Sequence, residues 1–149
     1  MADTFKRDIL IGEEAEYMLL DKIQKKYPKS YKKKGEDKRF DIVVPEKRVT
    51  IEVKRDIGSK DTPNYFVEFE CNGVDSWINA TESDFWVIFD NYKWVWMKPK
   101  TLKTISEAFG IYWEGIPKGG ASTVKAYKVQ KEIIYKYATR ITNEVWYRG

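Results

Sequence analysis

Histidine is absent from this 149-residue chain, and that absence removes whole classes of chemistry. Ser-His-Asp hydrolases, histidine-ligated zinc centres and nucleases with a histidine base all need an imidazole. Hydrolysis here would have to run on carboxylates, lysine and a hard metal ion. Cysteine is almost absent as well. The single Cys71 allows no internal disulfide and no thiolate cluster for structural zinc. Apolar runs extend for only a few residues, whereas a bilayer-spanning helix needs about 20. The opening residues Met1 to Lys6 lack the apolar stretch of a secretory signal. We therefore expect a cytoplasmic protein, or one acting in the host cytoplasm if a phage encodes it. The five prolines and nine glycines form no linker, and no repeat or low-complexity tract is present, so residues 1–149 read as one domain. With 42% hydrophobic and 34% charged residues, the composition suits a globular chain and argues against wholesale disorder.

What the chain does have is charge, unevenly placed. Between Lys22 and Arg39 lie nine basic residues (Lys22, Lys25, Lys26, Lys29, Lys32, Lys33, Lys34, Lys38, Arg39) against Glu36 and Asp37. This segment carries +7 while the whole chain carries +4, so the remainder is slightly acidic. A concentrated basic stretch on a near-neutral body is what a polyanionic partner requires. The alternative is a solvated, lysine-rich helix end and loop.

Apolar periodicity organises the rest. Ile11, Ala15, Met18, Leu19 and Ile23 recur at helical spacing from about Asp8 to Lys26, and Pro28 ends the pattern. The clearest hairpin runs from Phe40 to Val44 and from Val49 to Arg55, joined by Pro45-Glu46-Lys47-Arg48. Further strands are expected at Tyr65 to Phe69, Phe85 to Phe89 and Lys93 to Met97, with a turn at Asp90-Asn91. A helix is expected from near Pro99 to Phe109, burying Leu102, Ile105, Ala108 and Phe109 and stopped by Gly110. Gly115 to Thr123 reads as loop, Lys125 to Val129 as a late strand and Lys131 to Tyr137 as a short helix. This order suggests an α+β or α/β domain around a mixed central sheet.

The hairpin carries the chemistry. With a four-residue loop, Val44 faces Val49, Ile42 faces Ile51, and Asp41 faces Glu52. Side-chain alternation then gathers Phe40, Ile42, Val44, Val49, Ile51 and Val53 on one apolar face. The other face presents Asp41, Val43, Thr50, Glu52 and Lys54. Opposed carboxylates with Cβ atoms about 5 Å apart repel, and a divalent cation between them removes the conflict. Mg²⁺ takes one or two carboxylates plus waters and phosphate oxygens, and the Val53 carbonyl is a further candidate ligand. Lys54 can orient the attacking water and stabilise charge on a transferring phosphate. The alternative is that Asp41, Glu52 and Lys54 decorate a wet strand face.

Asp41 followed by Glu52-Val53-Lys54 resembles the PD-(D/E)XK motif of restriction-endonuclease-like nucleases, with Phe40-Asp41 where the motif has Pro-Asp. Gly12-Glu13-Glu14-Ala15-Glu16 resembles the first helix of archaeal-type Holliday junction resolvases and their phage relatives, in which a helix glutamate completes the metal site. That glutamate maps onto Glu16, with Glu13 as second candidate, although acidic residues in a first turn also stabilise a helix through its dipole. The resemblance covers roughly the first 55 residues. Asn64 to Phe89 is similar to phage-associated members, in which a strand ending in glutamate is followed by a Ser-Gly-Ile-like turn. Here the turn is Ser76-Trp77-Ile78, with tryptophan in place of glycine.

The resemblance implies an α/β restriction-endonuclease-like core, a mixed, mainly five-stranded central sheet flanked by helices. It also implies a homodimeric, Mg²⁺-dependent endonuclease for branched DNA, with Mn²⁺ as a substitute ion and no organic cofactor. Glu16, Asp41, Glu52 and Lys54 would be catalytic. Asp41, Glu52, Glu16 and the Val53 carbonyl would hold the metal. Lys25, Lys26, Lys29, Lys32, Lys33, Lys34, Lys38 and Arg39 would grip DNA, joined by Arg55 and Lys60. Glu68 and Glu70 share a strand face, either solvated or reaching toward the metal. The alternatives are another nuclease of the superfamily, acting in restriction or as an exonuclease or end-processing enzyme, and a nucleic-acid-binding module without turnover.

Overall fold

The structure, a computed structural model, describes residues 2–33 and 40–144, with side chains from Ile11 onward in the first helix. Lys34, Lys38 and Arg39, assigned above to DNA, lie outside the described residues, as do Gly35, Glu36 and Asp37. The first helix α1 is Ala2–Gln24. It packs Ala15, Leu19 and Leu20 against Ile42, Val44, Ile51, Val53, Val87, Phe89 and Trp94. Ala15 and Leu19 belong to the stripe anticipated from 3.6-residue periodicity, Met18 and Ile23 of that stripe are partly buried, and Leu20 joins it. Pro28 follows within four residues of its end, where the chain can no longer continue a helix.

The hairpin strands are β2, Ile42–Val44, and β3, Val49–Arg55. A turn of 3-10 helix at Pro45–Lys47 joins them, ending at Arg48 in the left-handed conformation. Val44 pairs with Val49 and Ile42 with Ile51, the register expected. The short strand β1, Tyr31–Lys32, pairs antiparallel with β2. β6 (Phe85–Phe89) lies parallel to β3, placing Glu52 beside Trp86 and Lys54 beside Ile88. β7 (Lys93–Met97) and β10 (Arg140–Asn143) complete a six-stranded mixed sheet in the order β1-β2-β3-β6-β7-β10.

The expectation of one mainly five-stranded sheet needs correction, because a second sheet is present. It is antiparallel, in the order β5-β4-β9-β8, built from β4 (Asn64–Cys71), β5 (Val74–Asp75), β8 (Ile111–Gly115) and β9 (Val124–Gln130). Tyr65, Val67 and Val129 of this sheet meet Trp86, Ile88, Val95 and Met97 of the first. The helices α2 (Pro99–Phe109) and α3 (Lys131–Tyr137) add Leu102, Ile105 and Ile134 to the same core. The first sheet is therefore covered by α1 on one face and by the second sheet with α2 and α3 on the other. The domain is α/β with a mixed sheet, and no described helix is long and apolar enough to cross a membrane.

Two details of α2 also differ from expectation. Ser106 is buried with Leu102 and Ile105, whereas Ala108 is exposed and Phe109 is 56% exposed. Ala108 lies about 60° of helical rotation from Ile105, off the buried stripe, and Phe109 is the last residue of the helix. Gly110 does stop the helix, but its φ of −73° is ordinary. Glycine is required there by close approach, since an added Cβ would meet the Ser106 carbonyl and stand 2.7 Å from Tyr127 Cβ.

Candidate active site

β3 is buried on both faces at its centre. Ile51 and Val53 face α1, and alternation turns Glu52 and Lys54 toward Trp86 and the second sheet. Glu52 is consequently only 3% exposed, a position at which a carboxylate requires partners. Its Oε1 lies 3.1 Å from Lys54 Nζ, while its Oε2 is buried without any hydrogen-bond partner.

Asp41 stands at a bend just before β2. Its N–H donates to the Ile51 carbonyl at 2.9 Å, its carbonyl accepts from Lys33 N–H at 2.8 Å, and its Oδ2 accepts from Val53 N–H at 2.8 Å. The carboxylate thus caps β3 where β2 has ended. In an extended residue the N–H and C=O point to the same strand edge, so the Val53 carbonyl opens on the Asp41 side.

Glu16 reaches the cluster from α1. It lies within electrostatic reach of the Asp41 carboxylate, and its Oε2 lies 3.2 Å from Lys32 Nζ. Glu13 is more distant, 3.9 Å from the same ammonium. Of the two helix glutamates, Glu16 is therefore the one that feels the motif carboxylate. Burial, then the charge of Asp41, raises the Glu16 carboxyl to about 7, with Lys32 opposing. Burial also raises Glu52 to about 7; Lys54 opposes this and Asp41 adds to it. For Lys32, burial favours the neutral form, and contact with Glu16 and Glu13 more than reverses that.

Three carboxylates from separate elements thus share one field and repel one another. Among the described residues, no three acidic or cysteine side chains are gathered as closely as an ion would hold them. Even so, the donor set suits a hard divalent cation. It consists of carboxylate and carbonyl oxygens, one of them buried and unsatisfied, on acids that resist ionising without a counter-charge.

Glu68 also belongs to this neighbourhood, and the strand alternation alone did not decide its role. It is buried on β4, accepts a 2.8 Å hydrogen bond from Ser76 Oγ, and is raised by burial with opposition from Ser76 and Lys54. A bulge between Glu68 and Glu70 separates the two, and Glu70 instead pairs with Lys125 at 3.1 Å.

The basic residues divide. Lys25, Lys26, Lys29 and Lys60 are exposed. Lys33 lies 4.1 Å from the Phe40 ring centroid. Lys32, expected to grip DNA, is instead engaged with the site carboxylates. Arg55 also departs from expectation. It donates to the Ile11 carbonyl at 2.9 Å and to Asn91 Oδ1 at 2.8 Å, and it pairs with Glu14 at 3.4 Å. With its side chain 8% exposed, Arg55 ties α1 to the sheet rather than offering its charge to phosphate. A surface rich in lysine and not anticipated from sequence is an open basin of about 450 Å³ lined by Lys98, Lys100 and Lys103 together with Thr81, Ser83 and one acid, Asp84. Its signal in the sequence was the Lys-Pro-Lys-x-x-Lys spacing at the start of α2.

In comparison with known proteins, no family model, curated protein or solved structure matches this chain.

Proposed function

We propose that the chain is a magnesium-dependent endonuclease of the PD-(D/E)XK class, with a restriction-endonuclease-like core, that hydrolyses phosphodiester bonds in branched DNA as Holliday junction resolvases do. The observation that carries this reading is the convergence of Glu16, Asp41 and Glu52, with Asp41 fixed to the Val53 N–H and Lys54 paired with Glu52. Asp41, Glu52, Glu16 and the Val53 carbonyl would hold Mg²⁺ or Mn²⁺. A bound ion would supply electrophilic stabilisation of phosphate charge and acidify the attacking water. Lys54 orients that water and offsets charge developing on the phosphate. The lysines around α1 and its following loop contact the backbone, giving shape-dependent, salt-sensitive binding. Cutting two strands related by two-fold symmetry calls for a homodimer, acting in the cytoplasm.

The test is cleavage of a labelled four-way junction beside a linear duplex of matched sequence, with Mg²⁺ or EDTA. Paired symmetric nicks in the junction alone, and only with metal, are expected. Equal cutting of both substrates would keep the nuclease chemistry and assign the protein to restriction, exonuclease or end-processing work. The pairing of Lys32 with Glu16 and of Lys54 with Glu52 favours a second reading, a nucleic-acid-binding module whose carboxylates are neutralised internally. Metal-independent binding without cleavage would select it.

A further inference from the structure

Four described non-glycine residues have positive φ: Arg48, Asn72, Trp77 and Asn91. Arg48 and Asn72 close strand-to-strand turns, as does Asn91 between β6 and β7, and asparagine tolerates the left-handed region well. Trp77 is the exception, a bulky residue at φ +39° following Ser76 in extended conformation. Its backbone is pinned on both sides. Ser76 N–H donates to the Phe69 carbonyl at 3.0 Å, and the Trp77 carbonyl accepts from Ala80 and Thr81 at 3.0 and 2.9 Å. The Ser76 hydroxyl anchors the turn to Glu68 at 2.8 Å. Glycine would take this conformation freely, so the cost of a tryptophan here directs attention to its side chain.

That side chain lies against the Lys54 ammonium. Lys54 Nζ is 4.8 Å from the Trp77 ring centroid and 5.8 Å from that of Trp86. The Trp77 ring is oriented by Phe66, edge-on at 6.2 Å, and by Trp86, tilted at 6.4 Å. The ammonium also pairs with Glu52 Oε1 at 3.1 Å, and its charge reaches Glu68. These two anchors are not equivalent. Holding Lys54 through Glu52 occupies a carboxylate oxygen that a cation would need, whereas holding it through an aromatic face leaves that oxygen available.

We propose that Trp77 is a positioning residue for Lys54, its indole face keeping the ammonium beside the scissile phosphate while Glu52 serves a cation. The proposal rests on the nuclease reading above, and its test separates the two. In the metal-free protein the Lys54 methylene and ammonium resonances, assigned by their loss in Lys54→Arg, are expected upfield of the other lysines through the ring current. Trp77→Phe should retain part of that shift, and Trp77→Gly should remove most of it, leaving only the contribution of the more distant Trp86 ring. In Mg²⁺-supported cleavage, Trp77→Gly should lower kcat by about tenfold with KM for DNA unchanged, and Trp77→Phe should recover most of the rate. Circular dichroism and the methyl spectrum establish that each variant is folded. If Trp77→Gly should fail to fold, Trp77→Leu, which keeps bulk without a ring, takes its place and should show the same losses. An unshifted Lys54 in the wild-type protein, or full kcat without the ring, would overturn the proposal. Absence of metal-dependent cleavage from the wild-type protein would overturn the nuclease reading, while the resonances still decide where Lys54 is held.

Discussion

Two carboxylates of the six-stranded sheet are buried to the same extent and are treated in opposite ways. Asp90, at the turn between β6 and β7, is 3% exposed, as is Glu52 at the centre of β3. Asp90 accepts from the Tyr65 hydroxyl at 2.7 Å and from the Tyr92 and Lys93 N–H groups at 2.9 and 2.7 Å. Tyr65 in turn meets the Tyr135 hydroxyl at 3.0 Å. Glu52 has one lysine contact and an oxygen with no partner, and it faces the charge of a second carboxylate. A buried acid whose acceptors are filled holds a turn in place; one whose acceptors are left open is held in readiness for something absent from the fold. Under the proposed reading, this difference is what separates a structural from a functional acid in one sheet.

The sharpest way to break the comparison is to remove each acid. Asp90→Ala removes the acceptor of three donors, of which the Tyr65 hydroxyl keeps another partner in Tyr135, and should destabilise the domain by about 2–4 kcal/mol, read as a lower midpoint in urea. Glu52→Ala removes a buried carboxylate that the fold satisfies at one oxygen only, through Lys54. Its unfolding midpoint at pH 8 should therefore match or exceed that of the wild-type protein, while metal-dependent cleavage falls by roughly 10²–10³ or more. Junction binding by Glu52→Ala should persist. A large loss of stability in Glu52→Ala, or retained cleavage, would place Glu52 with Asp90 as a structural group.

The same contrast explains what was legible in the sequence. The β2-β3 register could be read because β-branched alternation admits one pairing with a single apolar side. Asp41, Glu52 and Lys54 followed from that register, whereas Glu16 was singled out by the resemblance of Gly12 to Glu16 to the resolvase first helix. The partners were harder to foresee. Whether Lys32 grips phosphate or pairs with Glu16 depends on β1, a two-residue strand too short to leave a pattern. Glu68 and Glu70 appeared equivalent until a bulge separated them. The Lys98, Lys100 and Lys103 spacing is visible in the sequence, but the basin also needs the 77–84 segment folded against α2, which is a tertiary contact. β8 and β10 are edge strands whose exposed positions blur the period-two signal.

A second prediction concerns protons. Glu16 and Glu52 are both raised, from about 4.5 unfolded to about 7 folded. The native state therefore binds more protons than the unfolded chain across that interval, so stability falls as pH rises through it. In the metal-free protein the unfolding midpoint should drop between about pH 5 and pH 7.5 as a coupled titration of the cluster. Mg²⁺ should reverse the drop above pH 7, by about 2.7 kcal/mol when its concentration is a hundred times Kd, and its binding should release protons. Glu52→Gln should flatten both effects. A midpoint that rises over the same interval, or ignores Mg²⁺ in the wild-type protein, would mean that these acids are not held in the destabilised state described.

The smallest expected effect separates two basic surfaces. Lys25, Lys26 and Lys29 are exposed beyond the end of α1, and Lys98, Lys100 and Lys103 line the basin near α2. Each phosphate contact contributes about 0.9 to the slope of log K against log salt on duplex DNA. Neutralising Lys25, Lys26 and Lys29 together should therefore reduce the slope by about 2–3 if all three meet phosphate, with the catalytic rate at saturation unchanged. Neutralising Lys98, Lys100 and Lys103 should leave the slope within about one of wild type. Lys32→Ala belongs to neither group. Because its ammonium is already engaged with Glu16, it should alter the pH at which stability falls more than the salt slope. If the basin variant changes the slope and the α1 variant does not, the backbone runs along the opposite surface.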